Sequence, residues 1–137
     1  TFQFQIGKGD VMREGTDVAI IATGLMVNEA VEAAKTLAEQ GIDAMVINMC
    51  TIKPLDEELV LEAARKCGKI ITCEEHSVIG GLGEAVCACL SEKLPTPVRR
   101  IGVNDVFGFS GPANDLLKEF GLSAENIVKT AHEFCGK

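Results

Sequence analysis

The stretch Ile70-Ile71-Thr72-Cys73-Glu74-Glu75-His76-Ser77-Val78-Ile79-Gly80-Gly81-Leu82-Gly83-Glu84-Ala85-Val86 carries most of the information about the fold. An apolar run ends in two carboxylates and an imidazole, and a glycine cluster then opens an alanine-rich segment. This order predicts a buried strand, a polar loop at its carboxyl end, and a helix that begins at the loop. In open α/β sheets, ligands and partners bind beyond the carboxyl ends of the strands, so we expect any functional surface there.

The rest of the chain repeats this alternation of apolar runs and helical patterns. Val18–Thr23 and Asp43–Met49 are apolar runs of the kind that is covered on both faces of a sheet. Val98–Val103 is less apolar and is expected near an edge, and Val11–Glu14 is expected to form an edge strand at the start. Helical patterns lie at about 26–40, 57–67 and 82–94, followed by a short helix from Pro112 to Phe120 and a last helix after Ser123. Asp56 and Gly68 are the expected caps of the second pattern.

The length of 137 residues is that of one domain with a proper core, and no internal repeat or low-complexity segment divides the chain. The alternation of strand and helix predicts a three-layer α/β/α sandwich around a mostly parallel sheet. We therefore expect residues 1–137 to form a single domain, with residues 1–7 as a lead-in segment.

Composition and charge argue against several classes of protein. A net charge of −7 and an aromatic content of 4%, without Trp or Tyr, do not suit nucleic-acid binding, which needs a basic face and exposed rings. No apolar run approaches the roughly 20 residues of a membrane span, and the first residues lack the basic and apolar regions of an export signal. The six cysteines show no Cys-x-x-Cys spacing, which favours reduced, mostly buried thiols. We expect a cytoplasmic protein that binds neither nucleic acid nor membrane.

The glycine cluster has two interpretations. Gly80, Gly81 and Gly83 resemble a phosphate cradle, because free N–H groups at a helix start attract anions. The spacing is not G-x-G-x-x-G, and the cluster follows the third buried strand rather than the first. We favour the alternative, in which the glycines permit a tight turn and close packing of a helix on the sheet.

The residues Glu74, Glu75 and His76 could form an acid–base group, since a carboxylate beside an imidazole raises its basicity. Adjacent side chains of an extended segment point in opposite directions, however, so at most Glu74 and His76 share a face. A structural or interface role is therefore favoured over catalysis. Cys73 and His76 have ligand-like spacing, but no second pair accompanies them, and no metal site is expected.

A second candidate segment follows the last predicted strand. Asn104 and Asp105 are typical of a side-chain-capped turn. Phe107 and Phe109 are either exposed anchors for a partner or ordinary core residues, and the sequence leaves both alternatives open. The other histidine, His132, lies in the last predicted helix and is interpreted as a surface residue.

These motifs together resemble the C-terminal domain of transketolase-like enzymes. The resemblance lies in Gly15–Gly24, Val46–Asp56, Glu74–Val86 and Gly102–Gly111, and it covers the chain from about Gly7 to its end. Several of these motifs are shared in outline with 1-deoxyxylulose-5-phosphate synthases and 2-oxoacid dehydrogenase beta subunits. The histidine after the paired acids and the Phe-Gly-x-Ser-Gly segment are more similar to transketolase.

The resemblance implies a five-stranded mixed sheet whose first strand is antiparallel. It also implies an enzyme that transfers a two-carbon ketol unit between sugar phosphates in the pentose phosphate pathway, with thiamine diphosphate and a divalent metal such as Mg²⁺. In that family the cofactor lies between other domains at a dimer interface, and the Gly-Asp-Gly…Asn motif that binds it is absent here, since Val11 follows Gly9-Asp10. No catalytic, cofactor-binding or metal-binding residue is therefore assigned to this chain.

The expectation is thus the C-terminal domain of a larger or two-subunit transketolase, inactive alone, that supports a homodimer and contacts the N-terminal cofactor-binding domains or subunit. The alternatives are the matching domain of the two related enzymes and a freestanding anion-binding regulatory module. The candidate interface or anion-binding residues are Glu74, Glu75, His76, Gly80, Gly81, Gly83, Asn104, Asp105, Phe107, Phe109 and Ser110.

Overall fold

A computed structural model of the chain describes residues 8–24, 26–50, 54–74, 81–101 and 124–137. Within these residues the elements are β1 (Asp10–Arg13), β2 (Val18–Ala22), α1 (Met26–Glu39), β3 (Ala44–Asn48), α2 (Glu57–Cys67), β4 (Ile70–Cys73), α3 (Leu82–Lys93), β5 (Val98–Ile101) and α4 (Ala124–Cys135). This succession confirms the α/β class predicted from the sequence.

The five strands form one sheet in the order β1-β3-β2-β4-β5. β1 pairs with β3 in antiparallel orientation, and the other three pairings are parallel. β1 and β5 therefore form the two edges, as predicted for both segments, and for β5 because its sequence is less apolar. In β1 the register shifts between Val11 and Arg13, so that Met12 lies at a bulge, and its side chain is exposed.

The central strands are buried because helices cover both faces of the sheet. On one face, Ile20, Val46 and Ile71 belong to an apolar cluster that includes residues of α1 and α4. On the other face, the alternate strand residues belong to a second cluster together with residues of α2 and α3. Successive strand side chains point to opposite faces, so an uninterrupted apolar run is what a sheet covered on both sides requires.

The ends of α2 match the predicted caps. Asp56 accepts a hydrogen bond from the backbone N–H of Leu59, and Gly68 adopts a left-handed conformation with φ of 71°. The backbone N–H of Gly68 donates to the carbonyl of Ala64 at 2.9 Å, which satisfies one of the last carbonyls of the helix. Acidic residues in the first turn and basic residues in the last turn suit the helix dipole.

Several predictions concern residues outside the described ranges. The lead-in segment 1–7, the short helix after Pro112 and the cap at Ser123 belong to this group. Across the five described ranges, the structure contains no helix that is both long and apolar enough to cross a membrane.

Candidate functional site

The parallel strands place their carboxyl ends along one edge of the sheet, where the sequence predicted the functional surface. The structure describes three of the candidate residues at this edge, Glu74, Gly81 and Gly83. The remaining candidates lie outside the described residues, namely Glu75, His76, Gly80, Asn104, Asp105, Phe107, Phe109 and Ser110.

Glu74 directly follows β4, and its side chain is buried, with 2% of the residue exposed. One carboxylate oxygen, Oε1, accepts a hydrogen bond from the backbone N–H of Leu82 at 3.0 Å. The other, Oε2, accepts one from the backbone N–H of Gly83 at 2.6 Å. The backbone N–H of Glu74 donates to the carbonyl of Ile101 at 3.0 Å. One residue thus joins the ends of β4 and β5 to the start of α3.

The contact between Glu74 and α3 explains how a carboxylate is tolerated in the interior. The first N–H groups of a helix have no partner within the helix, and the helix dipole favours negative charge at this end. A buried carboxylate that accepts two such hydrogen bonds is compensated in charge and in hydrogen bonding. A bound anion would use the same two N–H groups. The carboxylate of Glu74 therefore occupies the position that an anion would take at the glycine-rich start of α3.

Gly83 packs against two side chains of the sheet. A Cβ atom at this position would lie 2.5 Å from Nε of Arg100 and 3.1 Å from Oγ1 of Thr72. Thr72 and Arg100 are neighbours across β4 and β5, so both side chains lie on the sheet face that α3 covers. For Gly83, this geometry matches the favoured interpretation, in which a glycine lets the helix approach the sheet closely.

Thr72 lies below the same helix start and is 1% exposed. Its hydroxyl oxygen has no hydrogen-bond partner in the structure of the described ranges. A buried hydroxyl without a partner is unfavourable because it has lost its hydrogen bonds to water. A Cβ atom on Gly83 would lie 3.1 Å from this oxygen, so the start of α3 packs directly against it.

Carboxylates also cap two other helices at this edge. Asp56 caps α2 locally, as the sequence predicted. Glu29, in the first turn of α1, accepts a hydrogen bond from the backbone N–H of Ala124 at the start of α4, at 3.0 Å. Glu29 was not among the predicted site residues, and neither were Thr72 and Arg100. No local motif indicates the role of Glu29, since Glu29 and its partner Ala124 are 95 residues apart.

The cysteines are buried or half-buried, and no disulfide joins any of the six. Burial, with a smaller effect from the charge of Asp43, raises the pKa of Cys67 to about 11. Burial and the adjacent charge of Glu74 also raise the pKa of Cys73 far above its usual value. Both thiols remain protonated at neutral pH and are poor nucleophiles. Among the described residues, no group of three His, Cys, Asp or Glu side chains could hold a metal ion.

The structure is thus a three-layer α/β domain in which carboxylates of the chain bind the starts of α2, α3 and α4. Residues 7–127 match the family model described as "Transketolase, C-terminal domain". The chain therefore belongs to the transketolase C-terminal domain family.

Relatives within this family include subunits and longer enzymes. The chain is 53% identical over 131 residues to a 6-deoxy-6-sulfo-D-fructose transketolase subunit of Clostridium sp. strain MSTE9, and the match covers 96% of this chain and 41% of that subunit. It is 46% identical over 134 residues to 1-deoxy-D-xylulose-5-phosphate synthase 1 of Geobacter sulfurreducens, covering 96% of this chain and 21% of that enzyme.

A solved structure described as a split gene transketolase in an inactive beta4 tetramer is also similar. It has a TM-score of 0.88 and 48% sequence identity, and the match covers 96% of this chain and 42% of that one. The chain thus spans about two fifths of the length of these two subunits.

Proposed function

We propose that this chain is the C-terminal section of a thiamine diphosphate-dependent transketolase, in an enzyme divided between two subunits. The observation that carries the proposal is the similarity to two transketolase subunits, at 53% and 48% identity. In both cases the chain matches about two fifths of the relative's length, the share expected of one domain in a subunit of about two domains.

The proposed role of this domain is to support the enzyme rather than to carry out its chemistry. The one fully buried carboxylate among the described residues, Glu74, is engaged in two hydrogen bonds to α3. A carboxylate held in this way stabilises the fold and is poorly placed to exchange protons with a substrate. We infer that thiamine diphosphate and Mg²⁺ are bound by the N-terminal domains or subunit, and that this chain alone is inactive.

The proposed reaction is the transfer of a two-carbon ketol unit between sugar phosphates, as in the pentose phosphate pathway. The name of one relative specifies a sulfo-sugar, 6-deoxy-6-sulfo-D-fructose, and that of another specifies apulose-4-phosphate. These two relatives, whose names specify different substrates, are 53% and 46% identical to this chain. This similarity supports the view that the rest of the enzyme determines the choice of substrate. A 1-deoxyxylulose-5-phosphate synthase is the second candidate, on the basis of 46% identity.

The assembly and location are proposed on the same basis. We infer a complex with an N-terminal partner subunit and a homodimer of the resulting pair, because the relatives are described as subunits. A cytoplasmic location is supported by six cysteines that form no disulfide. The anion-binding module has less support, because the carboxylate of Glu74 already accepts hydrogen bonds from Leu82 and Gly83.

Reconstitution tests the proposal. The complete protein is mixed with a matching N-terminal subunit, thiamine diphosphate and Mg²⁺, and two-carbon transfer between sugar phosphates is followed by mass spectrometry. Product that requires both subunits and the cofactor supports the proposal. Product from pyruvate and glyceraldehyde 3-phosphate instead would favour the synthase.

A further inference from the structure

Asp56 holds the start of the described chain against α2. Its Oδ1 accepts a hydrogen bond from the backbone N–H of Leu59 at 3.2 Å, which caps the helix. Its Oδ2 accepts a second hydrogen bond from the backbone N–H of Gly9, which is 47 residues away in sequence, at 2.9 Å. A single carboxylate therefore caps α2 and also fixes the residue that precedes β1.

Gly9 fits closely against its surroundings at this point. A Cβ atom on Gly9 would lie 2.8 Å from Cδ2 of Leu59, 3.3 Å from Sδ of Met49 and 3.4 Å from the carbonyl oxygen of Asn48. β1 is antiparallel to β3, and Asp10 pairs with Asn48, the last residue of β3. Gly9, which precedes Asp10, therefore lies at the carboxyl edge of the sheet.

A cleft lies next to Gly9, at Lys8. It is open, has a volume of about 580 Å³, and runs along α2, with Lys8 forming part of its wall. Half-buried Leu59 and Leu61 offer apolar contact, while side chains of both charges surround them. Lys8 is the first described residue of the chain, and it lines the cleft. The charged lining residues are Asp56, Glu58, Glu62 and Arg65.

We propose that this cleft is the docking surface for the polypeptide that precedes Lys8 in the complete protein. Asp56 is the positioning residue that sets the direction in which that polypeptide leaves the domain. The inference rests on the proposed function, since the matched family is a C-terminal domain and the relatives are more than twice as long as this chain. The cleft is thus the surface by which the domain contacts the rest of its own chain.

The test uses the complete protein with a photo-crosslinker at the cleft. Glu62 is replaced by p-benzoylphenylalanine, and the same replacement at Glu125, in the first turn of α4, is the matched control. We expect crosslinks from position 62 to residues of the same chain that precede Lys8, and none to them from position 125. Crosslinks only to the partner subunit or to a second copy, or none at all, would overturn the docking surface.

The positioning role of Asp56 is tested by Asp56→Ser in the same protein. A serine retains one oxygen for the helix cap but lacks the second oxygen, which in Asp56 accepts the hydrogen bond from Gly9. Hydrogen exchange in peptides covering residues 8–13 should become about tenfold faster or more, while peptides of α2 stay protected. The crosslink yield from position 62 should fall at least severalfold.

An unchanged crosslink yield in Asp56→Ser, with faster exchange at residues 8–13, would overturn the positioning role. These readouts require no catalytic activity, so they remain informative if reconstitution yields no ketol transfer. Failure of that assay would remove the proposed function, and failure of the crosslink would remove only the docking surface.

Discussion

The carboxylate of Glu74 accepts a hydrogen bond from the backbone N–H of Gly83 at 2.6 Å, in the first turn of α3. A second hydrogen bond, from Leu82, engages the other oxygen, so the carboxylate is fully occupied by the helix start. A sequence that resembles a catalytic acid beside a phosphate-binding loop thus provides, at Glu74 and Gly83, the cap of a helix.

Replacing Glu74 with glutamine should lower the free energy of unfolding by about 2–3 kcal/mol, because two hydrogen bonds to a charged acceptor are weakened in the interior. The neutral amide has one oxygen, and its NH₂ group would face a backbone donor. Urea denaturation measures the change. Glu92→Gln, an exposed position on the same helix, is the control and should change stability by less than about 0.5 kcal/mol. Equal losses of stability in the two variants would refute the role of Glu74 as the cap of α3.

Gly83→Ala should destabilise the protein by about 1–2 kcal/mol, because the new Cβ would lie 2.5 Å from Nε of Arg100. The loss should be smaller or reversed when Arg100 is also alanine, since alanine favours a helix over glycine by roughly 1 kcal/mol. A double-mutant cycle by thermal or urea unfolding measures this coupling. Additive effects would show that Arg100 is not the obstacle.

Thr72→Val should stabilise the protein by about 1 kcal/mol, which is an unusual direction for a change at a buried position. Valine has nearly the same shape, suits a strand, and removes a buried hydroxyl that has no partner in the described structure. The midpoint of urea unfolding should rise without a change in the denaturant dependence. A loss of stability would mean that the hydroxyl has a hydrogen-bond partner, such as a bound water.

Gly15→Ala should destabilise the protein by about 3 kcal/mol or more. Its Cβ would lie 2.3 Å from the carbonyl carbon of Ala44 and 2.5 Å from the backbone nitrogen of Met45, and backbone atoms cannot move aside as a side chain can. Gly41→Ala is the comparison, because Gly41 has φ of 86° but nothing within 4 Å. That variant should cost about 1–2 kcal/mol, from conformational strain alone. A smaller effect at Gly15 than at Gly41 would contradict the packing argument.

Stability should fall as the pH rises above about 9. The folded-state pKa of Cys67 is raised from 9.0 to about 11, chiefly by burial, so the unfolded chain releases this proton at lower pH than the folded one. Stability from this thiol is complete below pH 9 and is lost as the pH rises through about 11. Cys67→Ala should show a shallower decline over this range in unfolding measurements. An identical slope would contradict the raised pKa.

Local patterns were sufficient to predict much of this fold. The runs around Ile20, Val46 and Ile71 are apolar on both faces, which distinguishes central parallel strands from edge strands before any contact is known. Asp56 and Gly68 were predictable as caps because a cap depends on residue type and on its neighbours in sequence.

The contacts of the carboxyl edge depend on tertiary structure and were not predictable in the same way. Glu74 finds its partners eight and nine residues further along the chain, which no local sequence pattern indicates. Gly83 requires glycine because of Arg100, which the pairing of β5 with β4 places beside it. The likeness of Gly80–Gly83 to a phosphate cradle could not reveal that an internal carboxylate already holds part of it.

The most direct test of the account is the reconstitution of the complete protein with a matching N-terminal subunit. Two-carbon transfer between sugar phosphates is measured with both subunits, thiamine diphosphate and Mg²⁺ present, and with each omitted in turn. The account predicts a stable complex and transfer only in the complete mixture. A complex that forms but transfers no ketol unit to any sugar phosphate, or an active protein without the N-terminal subunit, would contradict it.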